Sequence, residues 1–469
     1  MSFVSFSFLW LLAGTVLYRL TLGRRKTETG YLAVLLGSSL LFYLWHVPSY
    51  VLIIISSICV DYLAGLYLGQ PGRSESSRRF VLTLSLVVNL GLLFVFKYTN
   101  FFLGELTSLA AAMGMELSLP TLHWVLPMGI SFYTFQSMSY TIDVYRRVLP
   151  AYENLWKFAL FVSFFPQLMA GPIVRAKEFL YQIDRVRRVH ARVFLEGLYL
   201  IVRGYFLKMV VADNLGVVLE SHWARAAEEG AGSGLAWAMA ILFGMRIFCD
   251  FAGYSSVARG LAYLFGFRLP INFNSPYLSA TFKEFWGRWH ISLGRWLRDY
   301  LYISLGGNRR GEARTMLNLF LVMFLGGIWH GAAMTFLVWG VIHGVALGVE
   351  RLLKLHERKS RLVSVLWYVL TQAVVMLAWV FFAAADNAQG AQIVGNALSF
   401  QGLGLGRLPV ATCALLILPP LLIHVRTWLV ERELLRAPGR YEKALLAAVM
   451  LYGTLTAFGV NNAFIYFQF

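Results

Sequence analysis

Glu284-Phe-Trp-Gly-Arg-Trp-His-Ile-Ser-Leu-Gly-Arg-Trp-Leu-Arg-Asp-Tyr-Leu-Tyr-Ile-Ser-Leu-Gly-Gly307 and Leu325-Gly-Gly-Ile-Trp-His-Gly331 concentrate polar chemistry in an otherwise lipid-like chain. Of its 469 residues, 58% are hydrophobic and only 14% are charged. A soluble protein of this length needs more charge to cover its surface. Repeated apolar stretches approach the ~20 residues that cross a bilayer. The composition therefore predicts an all-α, polytopic membrane helical bundle. Ionisable residues are costly at membrane depth, so two histidines, each preceded by tryptophan, are candidates for function.

Residues 282–300 read as a single amphipathic helix. Phe282, Phe285, Trp286, Trp289, Leu293, Trp296, Leu297 and Tyr300 recur at helical spacing and form one aromatic face. Lys283, Glu284, Arg288, Arg295, Arg298 and Asp299 fall on the other face, and His290 lies near the boundary. Such a helix suits an interface or the wall of a wet cavity. From spacing alone, a hydrogen bond that pins the helix accounts for His290 more readily than direct chemistry does. Arg298 and Asp299 are sequence neighbours, so a local charge pair accounts for them as well as a substrate contact does.

His330 differs in its surroundings. It follows Gly326-Gly327, precedes Gly331 and has little charge nearby. The glycines permit close approach of backbone or ligand. A neutral imidazole there can accept a proton from an attacking hydroxyl and return it to a leaving thiolate, and a core hydrogen bond is the competing role. His343 reads as a helix-packing residue. His222 and His424, in or near loops, carry no specific signal.

The net charge of +17 is spread over short loops rather than a soluble basic domain. This pattern points to orientation and membrane lipid, not to nucleic acid. Basic clusters occur at Arg19 with Arg24, Arg25 and Lys26, and at Arg73 with Arg78 and Arg79. Others are Arg175 to Arg192 (including Arg187 and Arg188), Arg351 to Arg361 (including Arg358 and Lys359), and Arg426 to Lys443. Placing them in the cytoplasm gives a consistent alternation with both termini outside, provided that 155–171 is re-entrant. Its tract Phe164-Phe-Pro-Gln-Leu-Met-Ala-Gly-Pro172 carries the required helix breakers. Segments 235–249 and 251–267 read as two apolar stretches divided at Asp250, and 122–145 as one. Val4 to Leu17 lacks a preceding basic region and reads as a retained helix. No long polar linker divides the chain, so one domain is expected over 1–469.

Cys59, Cys249 and Cys413 are scattered, which suggests neither a disulfide framework nor a thiolate metal site. With no paired His or Cys motif, no metal is expected. The sequence also lacks a phosphate-binding P-loop and a nucleophile elbow.

Together the two histidine tracts closely resemble those of the membrane-bound O-acyltransferase family, and especially its bacterial polysaccharide branch. The resemblance extends to Pro127-Met-Gly-Ile-Ser-Phe-Tyr-Thr-Phe-Gln136, Tyr140, Ile142-Asp-Val-Tyr145 and Phe165-Pro-Gln-Leu-Met-Ala-Gly-Pro172. It includes Phe251-Ala-Gly-Tyr-Ser255 and Phe464-Ile-Tyr-Phe-Gln-Phe469. It implies an inner-membrane bundle with re-entrant and interfacial helices, in which cytosolic and external cavities approach at a thinned centre. His330 matches the family's principal catalytic histidine and His290 its earlier motif position. Trp286, Trp289, Trp329, Asn274, Arg298 and Asp299 are candidate substrate contacts.

The resemblance further implies an O-acetyltransferase acting toward a secreted polysaccharide such as alginate or cellulose. Acetyl-CoA is the expected donor thioester and no bound cofactor is expected. The implied partners are a periplasmic acetyltransferase or acceptor protein and the exopolysaccharide machinery. Peptidoglycan or teichoic-acid acyl transfer is the cousin reading. A transporter or a scaffold of polysaccharide export is the competing class, because broken helices with polar residues also suit a solute path. Three positions depart from the family pattern. Gly287 stands where Arg is common, Gly294 where Ser is common, and Phe382-Ala-Ala-Ala-Asp386 lacks a usual Arg.

Overall fold

The computed structural model describes residues 3, 5–21, 28–169, 171–186, 188–354, 360–460 and 464. Among them are twenty α-helices and no strand. A helix satisfies its backbone groups internally, which a bilayer demands. Six helices are long and apolar enough to cross a membrane: Pro48–Gly69, Glu75–Lys97, Ser233–Phe265, Met334–Leu352, Arg361–Ala383 and Val410–Glu431. Arg24, Arg25, Lys26, Ala170, Arg187, Arg358, Lys359 and the terminal tract after Phe464 lie outside the described residues. The chain divides into two compact units: Met1–Gly197 with Ala258–Pro270, and Leu198–Val257 with Ile271–Phe469.

The first unit holds α1 (Phe6–Thr21), α2 (Glu28–Leu44), α3 (Val51–Gly69), α4 (Glu75–Lys97), α5 (Thr99–Ala112), α6 (Ile130–Tyr145), α7 (Leu155–Ser163), α8 (Phe165–Leu168) and α9 (Ala176–Ile183). The apolar segment 122–145 becomes helical only at Ile130, after Pro127 and a left-handed Gly129 (φ 73°). A side chain at Gly129 would place its Cβ 2.1 Å from the Leu168 carbonyl oxygen, so the turn requires glycine. From Ile130 to Val144 every residue of α6 is buried. Polar side chains on this central helix need internal partners. Thr141 Oγ1 donates to Asp61 of α3 at 3.0 Å, and Ser85 and Asn89 of α4 donate to the same carboxylate. That knot ties three helices through a buried acid.

α7 has nine residues, a rise of roughly 13 Å, well short of the ~30 Å hydrocarbon core. The chain turns at Phe164, continues through the short α8 and is buried throughout that passage. The helix breakers of this tract leave no element here long enough to span by itself. Phe164 anchors the tract against Phe179 and Phe267, with ring centroids 5.1 and 5.3 Å away.

A run of α10 (Ala191–Tyr205), a π-helical turn over Phe206–Ala212 and α11 (Asp213–Glu229) enters the second unit at Leu198. It is followed by α12 (Ser233–Phe265), α13 (Phe282–Arg288), α14 (Ile291–Trp296), α15 (Glu312–His330), α16 (Met334–Leu352), α17 (Arg361–Ala383), α18 (Asn387–Leu398), α19 (Val410–Glu431) and α20 (Arg440–Thr456). The two apolar stretches expected on either side of Asp250 are one helix of 33 residues, α12. Asp250 does not interrupt it because Lys208 Nζ lies 2.7 Å from its carboxylate and 2.6 Å from Asp213. All three side chains are almost fully buried. Paired in this way, the acid is tolerated inside an apolar helix.

α15 and α16 pack closely because of glycine. A Cβ at Gly327 would sit 2.3 Å from the Phe336 carbonyl oxygen, and one at Gly340 would sit 2.7 Å from that of Met323. This approach fixes the end of α15, where His330 stands.

Candidate active site

The predicted helix over 282–300 is broken in the structure, and the break is at His290. α13 ends at Arg288, Trp289 is extended (φ −100°, ψ 130°), and His290 is left-handed (φ 43°, ψ 52°) before α14 begins. A left-handed conformation is unfavourable for a side-chain-bearing residue and persists where surrounding contacts impose it. Here the imposing segment is 272–274. The Ile291 N–H donates to the Asn272 carbonyl at 3.0 Å and the Asn274 N–H donates to the Arg288 carbonyl at 3.0 Å. The Asn272 side chain accepts from the Ser292 N–H at 3.1 Å, while its Nδ2 donates to Ser255 Oγ at 3.2 Å. Asn272 is buried, so these bonds satisfy backbone groups that the break would otherwise orphan.

The predicted division of faces survives the break. Phe282, Phe285, Trp289, Leu293, Trp296, Leu297 and Tyr300 are buried, while Lys283, Arg295 and Arg298 are exposed. A π-helical turn over Leu297–Tyr302 follows α14.

His290 and His330 come together. Their ring centroids are 6.3 Å apart and both residues are buried. Phe251 of α12 lies edge-on to His290 at 4.6 Å. Trp329 flanks both, 6.0 Å from His290 and 5.2 Å from His330. The remaining walls of His330 are Trp339 at 5.1 Å and Phe382 at 5.4 Å. Phe464 packs against Phe251 at 5.8 Å. His290 lies on no membrane-spanning helix, and burial pushes its imidazole well below the ordinary histidine range. It is therefore neutral at pH 7 and can accept or donate a hydrogen bond.

Of the predicted substrate contacts, Trp329 lines the histidine pair directly. Trp286 is one ring further away, 5.6 Å from Trp339. Trp289 packs on the far side of the break, against Trp379 at 4.8 Å and Phe273 at 5.0 Å. Asn274, Arg298 and Asp299 are held elsewhere. Asn274 lies in a charge network in which Arg288 bridges Glu284 (3.0 Å) and Glu431 (2.7 Å). Exposed Arg298 pairs with its neighbour Asp299 at 2.7 Å, the local alternative anticipated from sequence.

Sequence reasoning overlooked Asn272, Trp339 and Phe382 as parts of the site. Asn272 lies two positions before the chosen Asn274, and its buried bonds to Ser255 and Ser292 set it apart. His343 is fully buried between Trp339 (4.8 Å) and Trp286 (5.0 Å), which fits its helix-packing assignment. Neither His222 nor His424 lies in a loop. His424 is buried in α19, stacked on Tyr277 at 5.7 Å, and His222 is buried in α11. Among the described residues, no group of His, Cys, Asp or Glu is arranged to hold a metal ion. What the arrangement offers is acid–base chemistry by an imidazole pair within an aromatic enclosure.

The fold and site define a multi-pass helical membrane protein built around a buried histidine pair. The family described as MBOAT, membrane-bound O-acyltransferase family, matches residues 38–386. The chain is 42% identical over 369 residues to a probable alginate O-acetylase of Pseudomonas putida, covering 78% of this chain and 74% of that protein. A peptidoglycan O-acetyltransferase of Helicobacter pylori is 35% identical over 396 residues, covering 78% and 74%. A teichoic acid D-alanyltransferase of Bacillus subtilis is 27% identical over 267 residues, covering 54% and 67%. The chain belongs to the membrane-bound O-acyltransferase family and is an O-acyltransferase.

Proposed function

We propose that this protein is an O-acetyltransferase of the bacterial cytoplasmic membrane, moving acetyl groups from a cytosolic thioester toward a secreted polysaccharide of the alginate or cellulose kind. One observation carries the mechanism: the 6.3 Å approach of His290 and His330 inside aromatic walls. The acceptor class follows the alginate O-acetylase relatives.

In the proposed step, His330 takes the proton from the attacking hydroxyl as its oxygen bonds to the thioester carbonyl carbon. The carbon–sulfur bond then breaks, and the imidazolium returns that proton to the thiolate. His290 orients the reacting groups. Acetyl-CoA is the proposed donor, its phosphates meeting the basic turn Gly306-Gly-Asn-Arg-Arg310. A periplasmic acetyltransferase or acceptor protein carries the group to the polymer. The loop charges favour an orientation with both termini in the periplasm.

The test is the O-acetyl content of the secreted polymer in cells carrying wild-type protein, no protein or His330→Ala at equal membrane abundance. Loss of acetylation in both mutant strains is expected. Normal acetylation with His330→Ala would overturn the catalytic assignment. Loss of acetyl from peptidoglycan, with the secreted polymer unchanged, would replace the acceptor.

A further inference from the structure

A cavity of about 390 Å³ opens between α17 and α19, with segment 278–284 as its floor. Its wall from α17 is one helical face: Arg361, Val365 and Tyr368. Its wall from α19 is another: Val425, Trp428 and Arg432. Both helices are candidate membrane spans; Arg361 opens α17, Arg432 directly follows α19, and both line the groove.

The polar groups are distributed unevenly. Arg361 and Arg432 are exposed and make no ion pair among the described residues. The Arg432 guanidinium lies 4.2 Å over the Trp428 ring, keeping its charge at the rim. Arg361 is the first residue of α17, and the N-cap Ser360 side chain makes no capping bond, so the partial positive charge of the helix end adds to that of the arginines. Glu284 does not cancel this charge, because its carboxylate is taken by Arg288 at 3.0 Å and the Ala280 N–H at 2.8 Å. Deeper in, the hydroxyls of Ser364 and Tyr368 already donate to backbone carbonyls at 3.0 and 3.1 Å. The remaining surface is apolar, with Trp428 beside Val365 and Val425, which are 53% and 43% exposed.

A ligand for this groove has one anionic end and an apolar body, and it reaches the site from the bilayer. We infer that the groove binds an anionic phospholipid, with its phosphodiester between Arg361 and Arg432 and its acyl chains along Val365, Val425 and Leu278. A nucleotide would leave its base without polar partners on these walls. The floor leads into α13, and Glu284 of that floor holds Arg288, two residues before His290. A bound lipid would therefore brace the segment that carries the break.

The experiment is native mass spectrometry of the full-length, delipidated protein, titrated separately with phosphatidylglycerol, phosphatidylcholine and glycerol 3-phosphate. Phosphatidylglycerol should bind about tenfold or more tightly than phosphatidylcholine, and glycerol 3-phosphate should not compete. The double variant Arg361→Gln, Arg432→Gln should lose that preference, whereas Arg309→Gln, Arg310→Gln, outside the groove, should keep it. Val365→Trp fills the groove without changing charge and should weaken phosphatidylglycerol alone by a similar factor. Equal binding of the two lipids, or competition by glycerol 3-phosphate, would overturn the inference. So would unchanged binding in Val365→Trp, which decides the matter if the arginine variant fails to fold.

Discussion

The imidazoles of His290 and His330 lie 6.3 Å apart although one sits in a helix break and the other at a helix end. Each position is set by backbone geometry. The left-handed turn of His290 is held by Asn272, and the end of α15 is held by its glycine-mediated packing on α16. The pair therefore reports on two separate packing events, which can be perturbed one at a time.

The first prediction separates the histidines. An asparagine amide can hydrogen-bond but cannot act as a comparable base. His330→Asn should lower acetyl transfer by roughly 10²–10⁴-fold, and His290→Asn should retain more activity. Both are measured as transfer to polymer or isolated acceptor protein, at equal amounts of folded protein. A dead His290→Asn beside an active His330→Asn would exchange the two roles.

Asn272 should matter more than Asn274. Asn272→Leu removes the acceptor for the Ser292 N–H and the donor to Ser255. Leaving such buried groups unpaired costs about 1–3 kcal/mol. Thermal unfolding should shift downward and turnover should fall with it, whereas Asn274→Ala, in the half-exposed charge network, should be nearly silent in both. Equal effects from the two variants would refute the assignment of Asn272 as the brace.

Two glycines should respond oppositely to alanine. At Gly327 the new Cβ would meet backbone, 2.3 Å from the Phe336 carbonyl oxygen, and neither helix can yield without moving His330. Gly327→Ala should cost about 1–3 kcal/mol and reduce activity. At Gly287 nothing lies within 4 Å, and the position is helical. Gly287→Ala should be neutral or stabilising by up to about 1 kcal/mol. A comparison of unfolding temperatures and activities decides it.

Orientation is open to direct labelling. A cysteine at Arg188 should react with an impermeant thiol reagent only from the cytosol, and one at Asn387 only from outside. Reversed labelling would reject the charge-based map and move the donor to the other face of the membrane.

Much of this protein was legible in its sequence. Hydrophobic composition and run length determine a multi-pass helical membrane protein, because a bilayer leaves few other solutions. Helix breakers around Pro166 mark the interrupted element, and aromatic spacing over 282–300 marks the buried face, since side-chain periodicity follows directly from chain order. The motifs single out His290 and His330. Only the tertiary structure decided three other features. It broke the helix at His290, because the competing hydrogen bonds come from residues 272–274 and no local pattern records them. It carried α12 through Asp250, because a lysine on another helix neutralises the acid. It also chose which polar residues stand near the histidine pair, taking Asn272 into the break and leaving Arg298 and Asp299 to each other. Local propensity and burial are properties of a segment, but the partners of a buried polar group are set by the segments that fold against it.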